Sequence, residues 1–563
     1  VARLYFARTD GAIALRALLI DALRHNLLMR FRSLAWFLVT LVLGLCSVAP
    51  SLADTPNDSP NKDSFEIREF VVLGTHLLPP VDIERAVYAF LGPDRTLATV
   101  KAAADAVEKT YKDAGYGTVF VDIPEQDVTD GVVRLKVTEG HLEGVHVRGE
   151  RYFSGRQILA ALPALKPGDT PQLPALQREL TELNARTPDR SVTPILKAGS
   201  EPGTVAADLS VKDTLPLHGS LSFDDRHTAD TTPNRLTAAL SYDNLWQRQD
   251  SVALQYQTAP ARPSDAEVLI ANYLAHLDAD GALAAFSYIR TNSNVLAVGT
   301  LGVLGKGSIY GAHWIEPIEA SPARTQSVNF GVDYKDVLTQ VFPDATGSAS
   351  GAPVTAAVRY LNWSATYSSS WYLPAATLGV NAGFAFGVQS ILNSSSEFEN
   401  ARYNANPDYF YVRLGFNGTE NLPAGFAISE RLNGQWSDDP LVNNEQFSLG
   451  GVDTVRGYLE AETLGDSGLA GSIELHSPRV GPKLGPILSP LYALVFVDGG
   501  VASLVDPLGG QRPDFVLWST GVGLRLENAR GLAGSLDYAI PQRDGVRTLR
   551  DHRRIDFSLR YGF

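Results

Sequence analysis

The residue patterns that support covalent chemistry are missing from this chain of 563 residues, or are spaced against it. The run Gly299–Ser308 is glycine-rich and contains Gly305-Lys306. However, Lys306 is followed by Gly307, and Thr300 stands where a phosphate-cradling loop needs glycine, so the run reads as loop or strand. No His-Glu-x-x-His pair is present to hold zinc, and no Gly-x-Ser-x-Gly turn to expose a serine nucleophile. The ten histidines are scattered, so no metal site and no cofactor are expected, and the chain does not read as an enzyme. Two other segments stand apart. Gly450-Gly-Val-Asp-Thr-Val455-Arg456-Gly457-Tyr458 lies in a long connection, and Phe496-Val-Asp498-Gly-Gly500 lies in a strand-like stretch. By residue type alone, Arg456 is a solvated loop arginine and Asp498 an ordinary carboxylate.

The stretches that position these segments alternate with a period of two. Leu236, Ala238, Leu240 and Tyr242 interleave with Thr237, Ala239, Ser241 and Asp243, and Phe410-Val412-Leu414-Phe416 does the same. At the end of the chain Ile555, Phe557, Leu559, Tyr561 and Phe563 alternate with Asp556, Ser558, Arg560 and Gly562. In a strand such sets face opposite sides, as a sheet between lipid and water requires, and a sheet in lipid must close to leave no unpaired edge. Strands are expected near 219–224, 235–243, 251–257, 268–276, 282–290, 308–314, 326–335, 357–367, 376–388, 408–416, 425–436, 469–476, 490–498, 516–526, 531–540 and 554–563. That is sixteen antiparallel strands within residues 215–563, an even number, with 296–304 discarded partly on parity. A soluble sandwich also alternates. The barrel is favoured by the export signal described below, the lack of cysteine after Cys46 and the terminal Phe563. With both chain ends in the periplasm, the connection carrying Arg456 starts on the outer side and is long enough to fold back into the lumen. Asp498 would face inward.

The N-terminal region, 1–53, reads as an upstream segment and a signal peptide. Met29 is the only methionine, so translation is expected to start there. Arg30 and Arg32, an apolar run from Leu34 to Cys46 and Ser51-Leu52-Ala53 follow in the order of a cleavable signal. Lipid attachment at Cys46 is a rival, opposed by Leu45 where a small residue is needed. Cys46 is the only cysteine, which excludes disulfides and thiolate metal sites in the mature chain. Cleavage removes six basic and two acidic residues, leaving 42 against 60 and a net charge of −18, which speaks against a nucleic-acid partner. Residues 54–64 have the composition of a short linker, so no helix plugging a barrel is expected from this region.

Between linker and barrel one pattern occurs twice, in 65–140 and 141–214: strand, short helix, long helix, two strands. The long helices are marked by Leu97, Val100, Ala104, Val107 and Tyr111, and by Leu173, Leu176, Leu180 and Leu183. Phe70-Val-Val-Leu-Gly74 and Val145-His-Val-Arg-Gly149 recur 75 residues apart. Each unit resembles the polypeptide-transport-associated (POTRA) domain, whose second strand, here 118–123 or 191–198, offers an edge to an extended client.

From about Phe65 onward the chain resembles the two-partner secretion transporters, the TpsB family of ShlB/FhaC/HecB type. The resemblance rests on Val455-Arg456-Gly457-Tyr458, on Phe496, Asp498 and Gly500 of a Phe-x-Asp-x-Gly strand, and on the terminal Phe563, a barrel-assembly signal. Asp243-Asn-Leu245, Gly465-Asp-Ser-Gly468 and Glu474-Leu475 add to it. It implies that Arg456 pairs with Asp498 inside the barrel, which sits in the outer membrane with its POTRA domains in the periplasm. It also implies an unfolded, β-rich, TpsA-like exoprotein as the secreted partner, driven without ATP by folding outside the cell. Outer-membrane lipid and, during biogenesis, the barrel assembly machinery are the other partners implied. An assembly factor that leaves its client in the membrane is the alternative function, and a diffusive porin is a third.

Overall fold

A computed structural model describes residues 64–563, except 129, 230, 278–280, 293–296, 299–300, 303–304, 342–353, 482–489 and 529–530. The expected signal, the start at Met29, Cys46 and all but the last residue of the 54–64 linker lie outside the described residues, as does the expectation of no plug helix.

The first periplasmic unit comprises β1 (Phe65–Ile67), β2 (Glu69–Leu73), α1 (Pro80–Tyr88), β3 (Gly92–Arg95), α2 (Leu97–Asp113), β4 (Val119–Asp122) and β5 (Val132–Glu139). The repeat pattern calls for one strand at the start of this unit. Instead the backbone breaks at Arg68, because the N–H groups of Arg68 and Glu69 both donate to Gly131 O, at 2.8 and 3.2 Å. This frees β1 to pair with β3. The main sheet has the order β2-β5-β4, with β2 and β5 parallel and β4 at an edge. Val100, Ala103, Ala104, Val107 and Tyr111 of α2 close the core against Val133, Leu135 and Val137.

The second unit repeats this plan with β6 (His141–Arg148), α3 (Gly155–Ala160), α4 (Leu173–Ala185), β7 (Arg190–Ala198) and β8 (Thr204–Asp213), in the order β6-β8-β7. The recurring glycine has a physical cause. Gly74 and Gly149 end their strands at φ +85° and +93°, a conformation that side chains with a Cβ resist. The chain then turns, and a carboxylate from the last strand gathers the turn's N–H groups. Glu139 accepts from His76 and Leu77 at 2.8 and 3.0 Å. Asp213 accepts from Arg151, Tyr152 and Phe153 at 2.8, 2.8 and 3.1 Å.

The rest is a closed antiparallel barrel of sixteen strands. They are β9 (Leu217–Asp224), β10 (Arg235–Leu245), β11 (Asp250–Thr258), β12 (Glu267–His276), β13 (Leu283–Thr291), β16 (Lys306–Ala320), β17 (Arg324–Val341) and β18 (Val354–Tyr372). Then come β19 (Ala376–Gly387), β20 (Phe410–Asn421), β21 (Ala427–Trp436), β24 (Ser467–His476), β25 (Leu491–Ser503), β26 (Asp514–Glu527), β27 (Leu532–Pro541) and β28 (Arg554–Gly562). Within the discarded stretch 296–304 the described residues form β14 (Ala297–Val298) and β15 (Leu301–Gly302), which pair with each other outside the barrel sheet. Leu240, Leu414, Ile473, Val497 and Leu559 are exposed on the outer wall, while Ser472, Asp498, Asp537 and Asp556 are buried on the inner one. No helix among the described residues is long and apolar enough to cross a membrane; the strands do so. The strands β16, β17 and β18 run well past their expected ends, and the helix α5 (Ser395–Ala401) in the outer connection 388–409 was not foreseen.

Glu139 also accepts the Tyr111 hydroxyl at 2.9 Å. Burial acts to raise its pKa, but the His76, Leu77 and Tyr111 hydrogen bonds outweigh it and hold the carboxyl below the ordinary carboxylate range. A lowered folded pKa contributes stability above the unfolded value, lost as pH falls through the folded one. Glu139→Ala, which orphans three donors, is expected to cost the first unit about 2–4 kcal/mol at neutral pH. Its acid-induced loss of stability should also flatten, as read by urea-dependent proteolysis of the periplasmic region in the full chain.

Candidate functional site

The connection 437–466 leaves the outer end of β21 and turns back into the barrel. Inside, β22 (Phe447–Leu449) pairs antiparallel with β23 (Thr463–Gly465), so the segment between them is carried on a hairpin. Gly457 sits at φ +87°, with Ala539 3.0 Å from where a Cβ would stand, so neither the backbone nor the space admits a side chain. That bend sends Arg456 and Tyr458 to different parts of the wall.

Arg456 is 2 % exposed and Asp498 fully buried. Arg456 Nε and Nη2 donate to the two Asp498 oxygens at 2.7 and 2.8 Å, and the Arg456 backbone N–H adds a third bond at 3.1 Å. Nη2 also donates to Ser472 Oγ at 3.1 Å, and Nη1 lies 2.7 Å from Glu474 Oε1. The guanidinium carbon rests 3.5 Å from the centroid of Phe496, a cation–π contact that shields one face. Asp537, 3.8 Å from Nη1, is itself paired with Arg525 at 2.8 Å. Strands β24, β25 and β27 thus converge on one loop arginine, and β26 supplies Arg525 to Asp537.

Each remaining motif residue has a place. Val455 and Tyr458 are buried with Leu449, Ala470, Ala502 and Leu517, and the Tyr458 hydroxyl reaches Arg543 O at 2.7 Å and Trp518 O at 3.1 Å. Gly500 is occupied space: Leu449 of the loop fills the position of a Cβ there. Phe563 takes no part in this cluster. It lies at the seam of β28 with β9, exchanging backbone bonds with Gly219 at 2.9 and 3.0 Å.

Several anchors of the same loop went unassigned in the sequence. Asp466 is fully buried, pairs with Arg402 from the α5 connection, and accepts from Leu441 N and Val505 N at 2.9 and 2.7 Å. Glu445 gathers Lys335, Tyr360 and Tyr411 at 2.5, 2.5 and 2.8 Å. Glu462 accepts from Thr548 N and Oγ1 at 2.7 and 2.8 Å. Every one of these partners lies at least 25 positions away from its carboxylate, so no local spacing announces the pair. Near the outer rim Asp453 pairs with Arg226 at 2.8 Å, and the N–H of Glu460 donates to His227 O. Together these contacts fix the position of the loop against the wall.

Residues 65–140 match the family model for the POTRA domain of ShlB type, and residues 354–526 match that for haemolysin secretion/activation protein ShlB/FhaC/HecB. The outer membrane transporter CdiB of Dickeya dadantii (strain 3937) is 24 % identical over 444 residues, spanning 75 % of this chain and 73 % of that protein. Among solved structures, CdiB from Escherichia coli aligns with a TM-score of 0.57 at 17 % identity, covering 92 % of this chain and 93 % of that one. BamA from Haemophilus ducreyi lacking POTRA domains 1–3 aligns at 0.55 and 13 % identity, covering 89 % and 100 %. At these identities the structural matches establish the shared fold.

Burial pushes the Glu460 carboxyl up to about 7, with Asp453 adding to the rise and Arg226 opposing it. Because the docked loop favours the protonated acid, its hold weakens as pH rises from the ordinary carboxylate range to about 7, and levels off above that. Amide exchange of residues 452–459, corrected for intrinsic rates, should therefore be faster at pH 8 than at pH 5. Glu460→Gln should remove that difference.

Proposed function

We propose that this chain, an outer-membrane transporter of the ShlB/FhaC/HecB haemolysin secretion type, takes an unfolded exoprotein from the periplasm and passes it out through its barrel. The observation that supports this best is the arginine lock: a hairpin with a buried ion pair holds the lumen in a defined state that a diffusive pore would not need. Burying Arg456 and Asp498 without each other would be costly, so the pair specifies one loop position. In this reading the loop stays pinned while client passes beside it, or is displaced as client enters.

The periplasmic units supply the capture step. The strands β4 and β7 are edges of their sheets, and an extended segment that pairs with either one is recognised through its backbone, whatever its sequence. A β-rich, TpsA-like exoprotein fits such a surface. It would leave the barrel unfolded and fold outside, which makes passage irreversible without a nucleotide. Outer-membrane lipid on the apolar wall and the barrel assembly machinery during biogenesis complete the partners. The shared fold with BamA keeps one alternative in view, insertion of other barrels into the membrane.

Deleting the gene should remove one large exoprotein from the medium and leave the other outer-membrane barrels at normal levels. A general loss of barrels would instead identify an assembly factor. Arg456→Ala should reduce secretion at least tenfold while the barrel still assembles and keeps its heat-modifiable mobility. Undiminished secretion by that variant would remove the lock from the mechanism.

A further inference from the structure

We infer that Asp189, His218 and Asp243 form a divalent-cation site that latches the second periplasmic unit to the barrel. The histidines are scattered in sequence, but the fold brings one of them between two carboxylates from different segments. Asp189 precedes β7 of the periplasmic unit, His218 lies at the periplasmic end of β9, and Asp243 lies near the matching end of β10. His218 Nε2 stands 2.9 Å from Asp189 Oδ2 and 3.6 Å from Asp243 Oδ2. One ligand atom from each of the three residues lies within 4.8 Å of the others, and no other group of this kind occurs among the described residues.

The spacing suits a metal. Bonds of about 2.0–2.2 Å from nitrogen and oxygen to one ion place adjacent ligand atoms about 3 Å apart, so small rotations of Asp243 and His218 complete the set. Asp189 is held ready: Thr187 and Thr214 hydroxyls lie 3.4 Å from its two oxygens, and its carbonyl accepts Thr214 N at 2.8 Å. Asp243 is fixed at the backbone by its own N–H to Pro216 O, at 2.9 Å. The His218 and Asp243 side chains are 40 % and 31 % exposed, which leaves room for water in the open coordination positions. An imidazole with two carboxylates favours Zn²⁺ over Ca²⁺ and Mg²⁺, which prefer all-oxygen sets.

The ion would add a second attachment to one made by side chains. Asn244 and Gln247 donate to Tyr152 O at 3.0 and 2.9 Å, and Ser154 N donates to Gln247 Oε1 at 2.9 Å. Two attachments set the angle of the unit to the barrel mouth, where one permits swivelling.

The test is calorimetric titration of zinc into the full chain, carried in detergent with a tag free of histidine and stripped beforehand with chelator. One zinc per chain is expected, weakened at least tenfold by His218→Ala and by Asp243→Asn. Magnesium in place of zinc should not saturate the site. Exchange of the amides at 187–190 and 214–218 should slow with zinc in the wild type and stay unchanged in His218→Ala. No zinc binding by the wild type, binding indifferent to both substitutions, or equal binding of magnesium would each overturn the assignment.

Discussion

The buried pair of Arg456 and Asp498 is the constraint around which the lumen is arranged. A closed barrel solves the backbone problem of a membrane sheet but leaves an inner wall whose groups must find partners or water. Here one arginine delivered by a loop takes up Asp498, Glu474 and Ser472 together, with Phe496 beneath it. Neither charge is stable in that position alone. The loop is therefore held where the wall needs it, and the wall strands carry polar groups where the loop arrives.

The other anchors follow from that placement. Once the tip is fixed, both arms of the connection run along the wall and their carboxylates become buried. Glu445, Asp466 and Glu462 each draw donors from a different part of the chain, so the loop ties β17, β18, the α5 connection and the β27–β28 connection together. At the rim, burial raises the Glu460 carboxyl to about 7, so its charge changes near neutral pH. The lock is firmest at its centre and adjustable at its outer end.

Much of the architecture was legible because lipid imposes a simple rule. Where one face meets hydrocarbon and the other water, residues alternate, as along β28 and β10. Beyond the apolar band both faces meet water, so the periplasmic ends of β16 and β18 and the outer end of β17 lose that signal and extend past the expected bounds. The break at Arg68 was invisible because it depends on Gly131, over sixty residues away. At the site, Arg456, Asp498 and Gly500 could be singled out by their motifs. Asp466 stands in the Gly465-Asp-Ser-Gly468 motif but with no role attached, and Glu445 and Glu462 stand in none, since a carboxylate becomes an anchor only through distant partners. His218 is a similar case: its meaning lies in Asp189, which belongs to another unit.

The most direct measurement of the central claim is a double-mutant cycle on secretion, comparing Arg456→Ala, Asp498→Ala and the combination with the intact chain in cells with equal barrel levels. If the two residues act as one lock, the double variant should secrete no less than the poorer single one, giving a strong coupling. Losses that multiply independently would contradict the account, because Arg456 and Asp498 would then contribute through separate interactions.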